Sequence, residues 1–194
     1  MPLPLVTDRL HIVLARPEQA AAHVDFFVRN DAHFRPWDPP RPAGAHTEAF
    51  WRQQLQRAVD EFDSGTAVRL AGFANSAPER MVLRINLTQI ARGPFQSAIL
   101  GYAVCAAEQG TGLMTEALRA VIGYAFSELG LHRIEANVVP ENQRSLRLLE
   151  RLGFERIGLA RRYLFIDGAW RDHVQHQLIN ANFDDSALTR PSPH

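Results

Sequence analysis

The stretch Ile99-Leu100-Gly101-Tyr102-Ala103-Val104-Cys105-Ala106 is apolar and strand-like, and Gln109-Gly110-Thr111-Gly112-Leu113-Met114 follows two residues later. From Leu113 the period changes. Leu113, Ala117, Val121, Ala125 and Leu129 recur every fourth residue, while Leu118, Ile122 and Phe126 fill the adjoining row, so the pattern predicts a helix with one apolar face. A strand therefore enters a helix through glycines. The first N–H groups of a helix lack intrahelical acceptors and sit at the positive end of its dipole, which makes such a turn attractive to phosphate. Glycines alone leave a steric explanation open as well.

Downstream, Arg133 to Val139 reads as a strand, Pro140-Glu141-Asn142 as a turn, and Ser145 to Gly153 as a helix closed by glycine. Phe154 to Asp167 and Trp170 to Ile179 flank Asp167-Gly168, a hairpin signal. Upstream, Thr7 to Leu14 reads as an opening strand, and Pro17 starts a helix to about Asn30. Thr47 caps a second helix that Ser64-Gly65 stops. Thr66 to Ala74 and Met81 to Gln89, bounded by turn compositions, form an antiparallel meander with Ser97 to Ala106. The prolines between Arg35 and Pro42 predict a rigid, extended connection carrying Trp37 and Asp38. The result is an α/β fold with a mixed sheet of about seven strands and about four helices. We expect one domain over residues 7–184 and a polar C-terminal tail over 185–194.

The chain has 194 residues, 46% of them hydrophobic and 22% charged, an ordinary globular composition. All 21 basic residues are arginine, balanced by 21 acidic ones, and the zero formal charge argues against the broad basic face of a nucleic-acid binder. The lack of lysine excludes lysine Schiff-base and P-loop chemistry. Cys105 stands alone among apolar neighbours and reads as a buried thiol rather than a nucleophile. No metal-ligand spacing such as H-E-x-x-H or C-x-x-C occurs, so no metal is expected. No apolar run approaches the roughly 20 residues of a membrane span, and Met1-Pro2-Leu3-Pro4-Leu5 lacks a signal pattern, so the expected address is the cytoplasm. No G-x-G-x-x-G follows the first strand, against a Rossmann-type dinucleotide binder.

Gln109, Gly110 and Gly112 resemble the Q/R-x-x-G-x-G/A signature of the GNAT N-acetyltransferases, with Met114 where the last small residue is usual. Gly112-Leu113-Met114 before Glu116-Ala117-Leu118, and Asn142-x-x-Ser145 before Leu149-Glu150-x-x-Gly153-Phe154, are similar to the branch that acetylates ribosomal-protein N-termini. Arg35-Pro36-Trp37-Asp38-Pro39 and Tyr163-Leu164-x-Ile166-Asp167-Gly168-x-Trp170-Arg171-Asp172-His173 resemble its members acting on ribosomal protein S5. The resemblance spans about Thr7 to Asp184.

It implies a mostly antiparallel sheet whose two central strands splay apart, and acetyl-CoA as cosubstrate. The backbone of Gln109, Gly110, Thr111, Gly112, Leu113 and Met114 would cradle the pyrophosphate, and the edge of Tyr102, Ala103 and Val104 would pair with pantetheine through backbone groups. Asn142 and Ser145 would contact pantetheine and the thioester sulfur, with Ser145 hydrogen-bonding the departing thiolate; from spacing alone both could simply cap a helix. Trp37 and Asp38 would grip the acceptor amine and its apolar neighbour, or alternatively Trp37 packs as a lid over the core and Asp38 is exposed. Arg144, Arg147 and Arg151 share a helix face that reads as solvated, with the cofactor 3′-phosphate as the alternative. The related enzymes acting on S18 carry a glutamate base where this chain aligns Asn137 and a tyrosine acid where it aligns Leu149. Asp38, Glu135 or a water chain are the substitutes, while His11, His132 and His173 read as structural. The implied acceptor is a protein N-terminus, ribosomal protein S5 among them; a small amine acceptor and a non-catalytic CoA-binding module are the alternatives. No nucleic-acid or membrane partner is expected, and monomer and homodimer both stay open.

Overall fold

The computed structural model describes residues 3–189, so Met1, Pro2 and residues 190–194 of the expected tail lie outside the described residues. Strands β1 (Leu5–Val6) and β2 (Leu10–Leu14) precede helices α1 (Ala20–Arg29), α2 (Asp31–Phe34) and α3 (Glu48–Asp63). The meander β3 (Val68–Ala74), β4 (Ala77–Ala91) and β5 (Ser97–Val104) follows. After it come α4 (Leu113–Ser127), β6 (Arg133–Val138), α5 (Gln143–Arg151), the hairpin β7 (Glu155–Ile166) and β8 (Ala169–Ile179), and α6 (Ser186–Thr189).

These strands form one open sheet of order β1-β2-β3-β4-β5-β6-β8-β7. Every neighbouring pair is antiparallel except β5 and β6. That parallel pair is joined by α4, as a crossover requires. The eighth strand, beyond the seven expected, is the two-residue β1. The four longer helices stand where the periodicity puts them, and α2 and α6 add four residues each.

Local chemistry explains the boundaries. Arg16 N–H donates to Gln19 Oε1 at 3.0 Å, and Pro17 begins a 3-10 turn that leads into α1. Thr47 Oγ1 accepts from Phe50 N–H at 3.3 Å, capping α3. At the end of α5, Gly153 takes φ +84°, Phe154 N–H donates to Leu149 O and Gly153 N–H to Glu150 O, each at 3.0 Å. This is a Schellman closure, and the buried Phe154 and Leu149 supply its apolar contact. The β7–β8 turn has positive φ at both Asp167 and Gly168, as a type I′ hairpin demands. Pro78 lies in β4 beside an irregularity in the β3 pairing, where its missing donor costs least.

The segment after α2 departs from the extended connection expected. The N–H groups of Trp37 and Asp38 both donate to Phe34 O at 2.9 Å, folding it into a turn. Phe34 anchors that turn, since its buried ring packs on Phe26 and Phe27 at 5.2 and 6.0 Å between centroids.

Alternation along the strands assigns the faces. Arg84, register partner of Ala103, lines a cavity walled by α1 and α3, whereas Tyr102, partner of Ile85, meets α5 on the opposite face. Helix α4 buries Ala117, Leu118, Val121 and Ala125 completely in the core. Cys105 is also fully buried, as its apolar neighbours indicate. Among the described residues no helix is long and apolar enough to cross a membrane.

The central strand pair positions the site. Pairing between β5 and β6 runs from Ser97 with Arg133 to Leu100 with Ala136 and stops. Beyond that point β5 pairs with β4 alone as far as Val104, and β6 pairs with β8 as far as Val138. The two strands part, as the resemblance implies.

Candidate active site

A cleft of about 930 Å³ opens at this fork. Tyr102, Ala103 and Val104 line it from β5; Gln109, Gly110, Gly112, Leu113 and Met114 from the glycine turn; Asn142, Ser145, Arg144, Arg147 and Arg151 from α5. Trp37 and Asp38 form part of its wall from the turn after α2. Of the residues expected to bind cofactor or acceptor, Thr111 alone is outside this lining: its carbonyl accepts from Arg9 Nη1 at 3.0 Å and its hydroxyl donates to Glu108 O at 2.8 Å.

The glycine turn has the form of an anion cradle. Gly110 and Gly112 take φ of +80° and +82°, conformations that disfavour a side chain. No atom lies within 4 Å of where a Cβ on Gly110 would stand, and at Gly112 the nearest is Arg9 Nη2 at 3.7 Å. Space in front of the turn is therefore open. The first bond into α4 is Glu116 N–H to Gly112 O at 3.1 Å, so the N–H groups of Leu113, Met114 and Thr115 precede the helical ladder and sit at its positive end. Leu113 N–H donates to the Thr111 hydroxyl at 3.4 Å, and phosphate oxygens fit the Met114 and Thr115 donors and this space. The three arginines also bound the cleft rather than facing only solvent.

A brace invisible in local sequence holds the turn. Glu116, in the first turn of α4, accepts from Thr7 Oγ1 at 2.6 Å, Arg9 N–H at 3.0 Å and Arg9 Nε at 2.7 Å. Partial burial opposes its charge, but these bonds and the Arg9 cation hold the carboxyl below the ordinary range. A second brace comes from α1: buried Asn30 donates through Nδ2 to Phe26 O at 2.7 Å and accepts Ala106 N–H at 2.9 Å. Gln109 joins the walls, with Nε2 2.9 Å from His33 Nε2 and Oε1 accepting from Arg144 Nη1. An amide nitrogen can only donate, so His33 Nε2 accepts.

Asn142 and Ser145 take different parts at the start of α5. Asn142 Oδ1 accepts Ser145 N–H at 3.2 Å, so Asn142 is the cap. The Ser145 hydroxyl instead lies 2.5 Å from the Tyr102 hydroxyl, bridging α5 to β5. Burial pushes the Tyr102 phenol up to about 12, although the bond to Ser145 pulls the other way.

On the opposite wall, Asp38 is committed to ion pairs, with Oδ2 2.6 Å from Arg84 Nη2 and 3.7 Å from Arg41 Nη2. Asp38 also borders a second cavity of about 400 Å³ lined by Phe27, Trp51, Arg69 and Arg84. Glu135 pairs with Arg133 Nε at 3.0 Å. Asn137 Nδ2 donates to Tyr163 Oη at 3.0 Å. His11 is exposed, His132 packs on Phe183 at 5.2 Å, and burial lowers the pKa of His173. The Arg35 guanidinium is held in its charged form chiefly by its bond to Asp31, with a smaller contribution from Asp167 at the hairpin turn.

Residues 9–155 match the acetyltransferase (GNAT) domain family. The chain belongs to the GNAT acetyltransferase family. This GNAT chain is 38% identical over 170 residues to the ribosomal protein uS5-alanine N-acetyltransferase of Escherichia coli strain K12, covering 88% of this chain and 87% of that protein. Its fold superposes with TM-score 0.90 on the crystal structure of the ribosomal-protein-S5-alanine acetyltransferase of Vibrio fischeri, at 29% identity over 94% of this chain and all of the other. It also matches RimJ of Mycobacterium smegmatis in complex with CoA-disulfide, at TM-score 0.82 and 28% identity, over 93% of this chain and 84% of that one. The GNAT fold and N-acetyltransferase activity follow from this membership.

Proposed function

We propose that this N-acetyltransferase moves the acetyl group of acetyl-CoA to the α-amine of a protein N-terminus by direct attack in a ternary complex, with ribosomal protein S5 as the acceptor its relatives suggest. The observation that carries this reading is the shared cleft: the unpaired β5 edge, the glycine turn and the Ser145 hydroxyl open onto one space. The glycine turn at Gly110 and Gly112 and the N–H groups of Met114 and Thr115 that open α4 hold the pyrophosphate, and Arg144, Arg147 and Arg151 face its phosphates. The β5 edge at Tyr102 to Val104 pairs with the pantetheine amides.

Acetyl-CoA supplies an acyl thioester. The amine nitrogen forms the C–N bond as the C–S bond breaks, the nitrogen releases a proton to water, and the sulfur recovers one, giving amide and CoA. Ser145 stabilises the charge that develops on sulfur. Trp37 and Asp38 wall the acceptor side, where Asp38 shapes the pocket while its charge answers Arg84 and Arg41. With Asp38 and Glu135 both paired, the amine depends on its own acidity, and an α-amine near pKa 8 is partly neutral at physiological pH.

The test is a screen of N-terminal peptides and small amines with acetyl-CoA, reading thiol release and product mass. Acetylation confined to small amines would overturn the protein-acceptor reading; CoA binding without any product would leave a binding module.

A further inference from the structure

The hydroxyl pair between Tyr102 and Ser145 spans the fork, and each partner comes from a different wall of the cleft. Both groups can donate and accept, but a phenol is the stronger acid of the two and so the better donor. When Tyr102 donates to Ser145 Oγ, the serine's own proton cannot point back to the tyrosine. The serine N–H is already given to Asn142 Oδ1 at 3.2 Å, and its hydroxyl lines the cleft, so the proton that Tyr102 leaves free can be donated there.

We infer that Tyr102 is a positioning residue, which fixes the Ser145 hydroxyl as a donor aimed at the sulfur of bound CoA. This rests on the acetyl-CoA reading above. No proton is transferred along the pair: Tyr102 keeps its proton, Ser145 lends a hydrogen bond to the developing thiolate, and the sulfur is protonated from solvent. The raised pKa of this partly buried phenol agrees with a group that stays a donor through the working range. The tyrosine thereby acts through its side chain, whereas the sequence assigns it only a backbone contact.

The experiment titrates the thiol of CoA bound to the wild-type enzyme, Tyr102→Phe, Ser145→Ala and the double variant, following thiolate absorbance, with CoA affinity measured by calorimetry and folding by melting temperature. In the wild type the bound thiol should ionise at lower pH than free CoA. Each single variant should raise that ionisation by about one pH unit, and the double variant should go no further, because one hydrogen bond to a charged group is lost in every case. In turnover, Tyr102→Phe should lower kcat about tenfold with KM for acetyl-CoA little changed. If Tyr102→Phe binds CoA and leaves the thiol ionisation as in the wild type, the positioning role is overturned while the cofactor reading stands. If wild-type enzyme does not bind CoA, both fall together.

Discussion

At the residue scale the sharpest contrast is between Ser145 as a mechanistic donor and Ser145 as a helix cap. The cap is Asn142, whose Oδ1 takes the serine N–H, so Ser145→Ala should leave the helix start intact. We expect kcat to fall by about tenfold or more, since a hydrogen bond to developing charge acts chiefly in the transition state, while stability falls by only about 1 kcal/mol for the Tyr102 hydroxyl left without its partner. Asn142→Ala should show the opposite balance, a loss of stability of about 1 kcal/mol in denaturant titration. Gly112→Asp combines a strained φ of +82° with a negative charge in the phosphate space. Calorimetry on the folded variant should show CoA affinity lowered at least about tenfold, and an unchanged affinity would remove the glycine turn from the phosphate site.

At the scale of elements, the cleft is held by parts distant in sequence. Asn30 ends α1, yet its side chain accepts the Ala106 N–H that leads into the glycine turn. Asn30→Ala leaves that partly buried donor without its partner, which should cost about 1 kcal/mol in unfolding experiments and weaken CoA binding in parallel. Such braces explain which parts of the site are legible in sequence. The glycine turn announces itself because positive φ selects glycine and the helical period begins immediately after it. The Thr7 and Arg9 contacts to Glu116 leave no such trace, being made across more than a hundred residues by side chains that read locally as a strand start and a helix first turn. For Tyr102, strand alternation gives a face and nothing about a hydroxyl on α5. The turn at Trp37 was masked by its prolines, whose preference for extended backbone yields to the anchoring of Phe34 in an aromatic cluster. The end of the β5–β6 pairing has no residue signature in either strand, so only family resemblance reveals it.

At the scale of the whole molecule, pH acts on folding and turnover at different places. Burial, assisted by Arg84 and opposed by the Gln19 carbonyl, pushes His23 down to about 4. A histidine that stays neutral in the fold but titrates near 6.5 when unfolded contributes fully above pH 6.5 and loses its contribution as pH falls toward 4. The loss should reach about 3 kcal/mol for His23, and His173 and His176, both lowered by burial, act in the same direction. Denaturant midpoints measured between pH 7 and 4 should decline accordingly, and His23→Gln should flatten that decline. Turnover should instead rise with pH until the acceptor amine is deprotonated, near roughly pH 8. A flat rate across that range, with binding saturated and chemistry limiting, would argue against control by amine ionisation.

The fork has a further consequence for how solvent reaches the backbone. Where β5 pairs with β4 alone, its outward amides past Leu100 face the cleft, although the strand around them belongs to the rigid sheet. Those amides should exchange with deuterium far faster than their inward neighbours, writing an alternating pattern along Gly101 to Val104. Occupation by pantetheine should slow the fast ones selectively, so an exchange map of four residues would read occupancy of the site without any turnover at all.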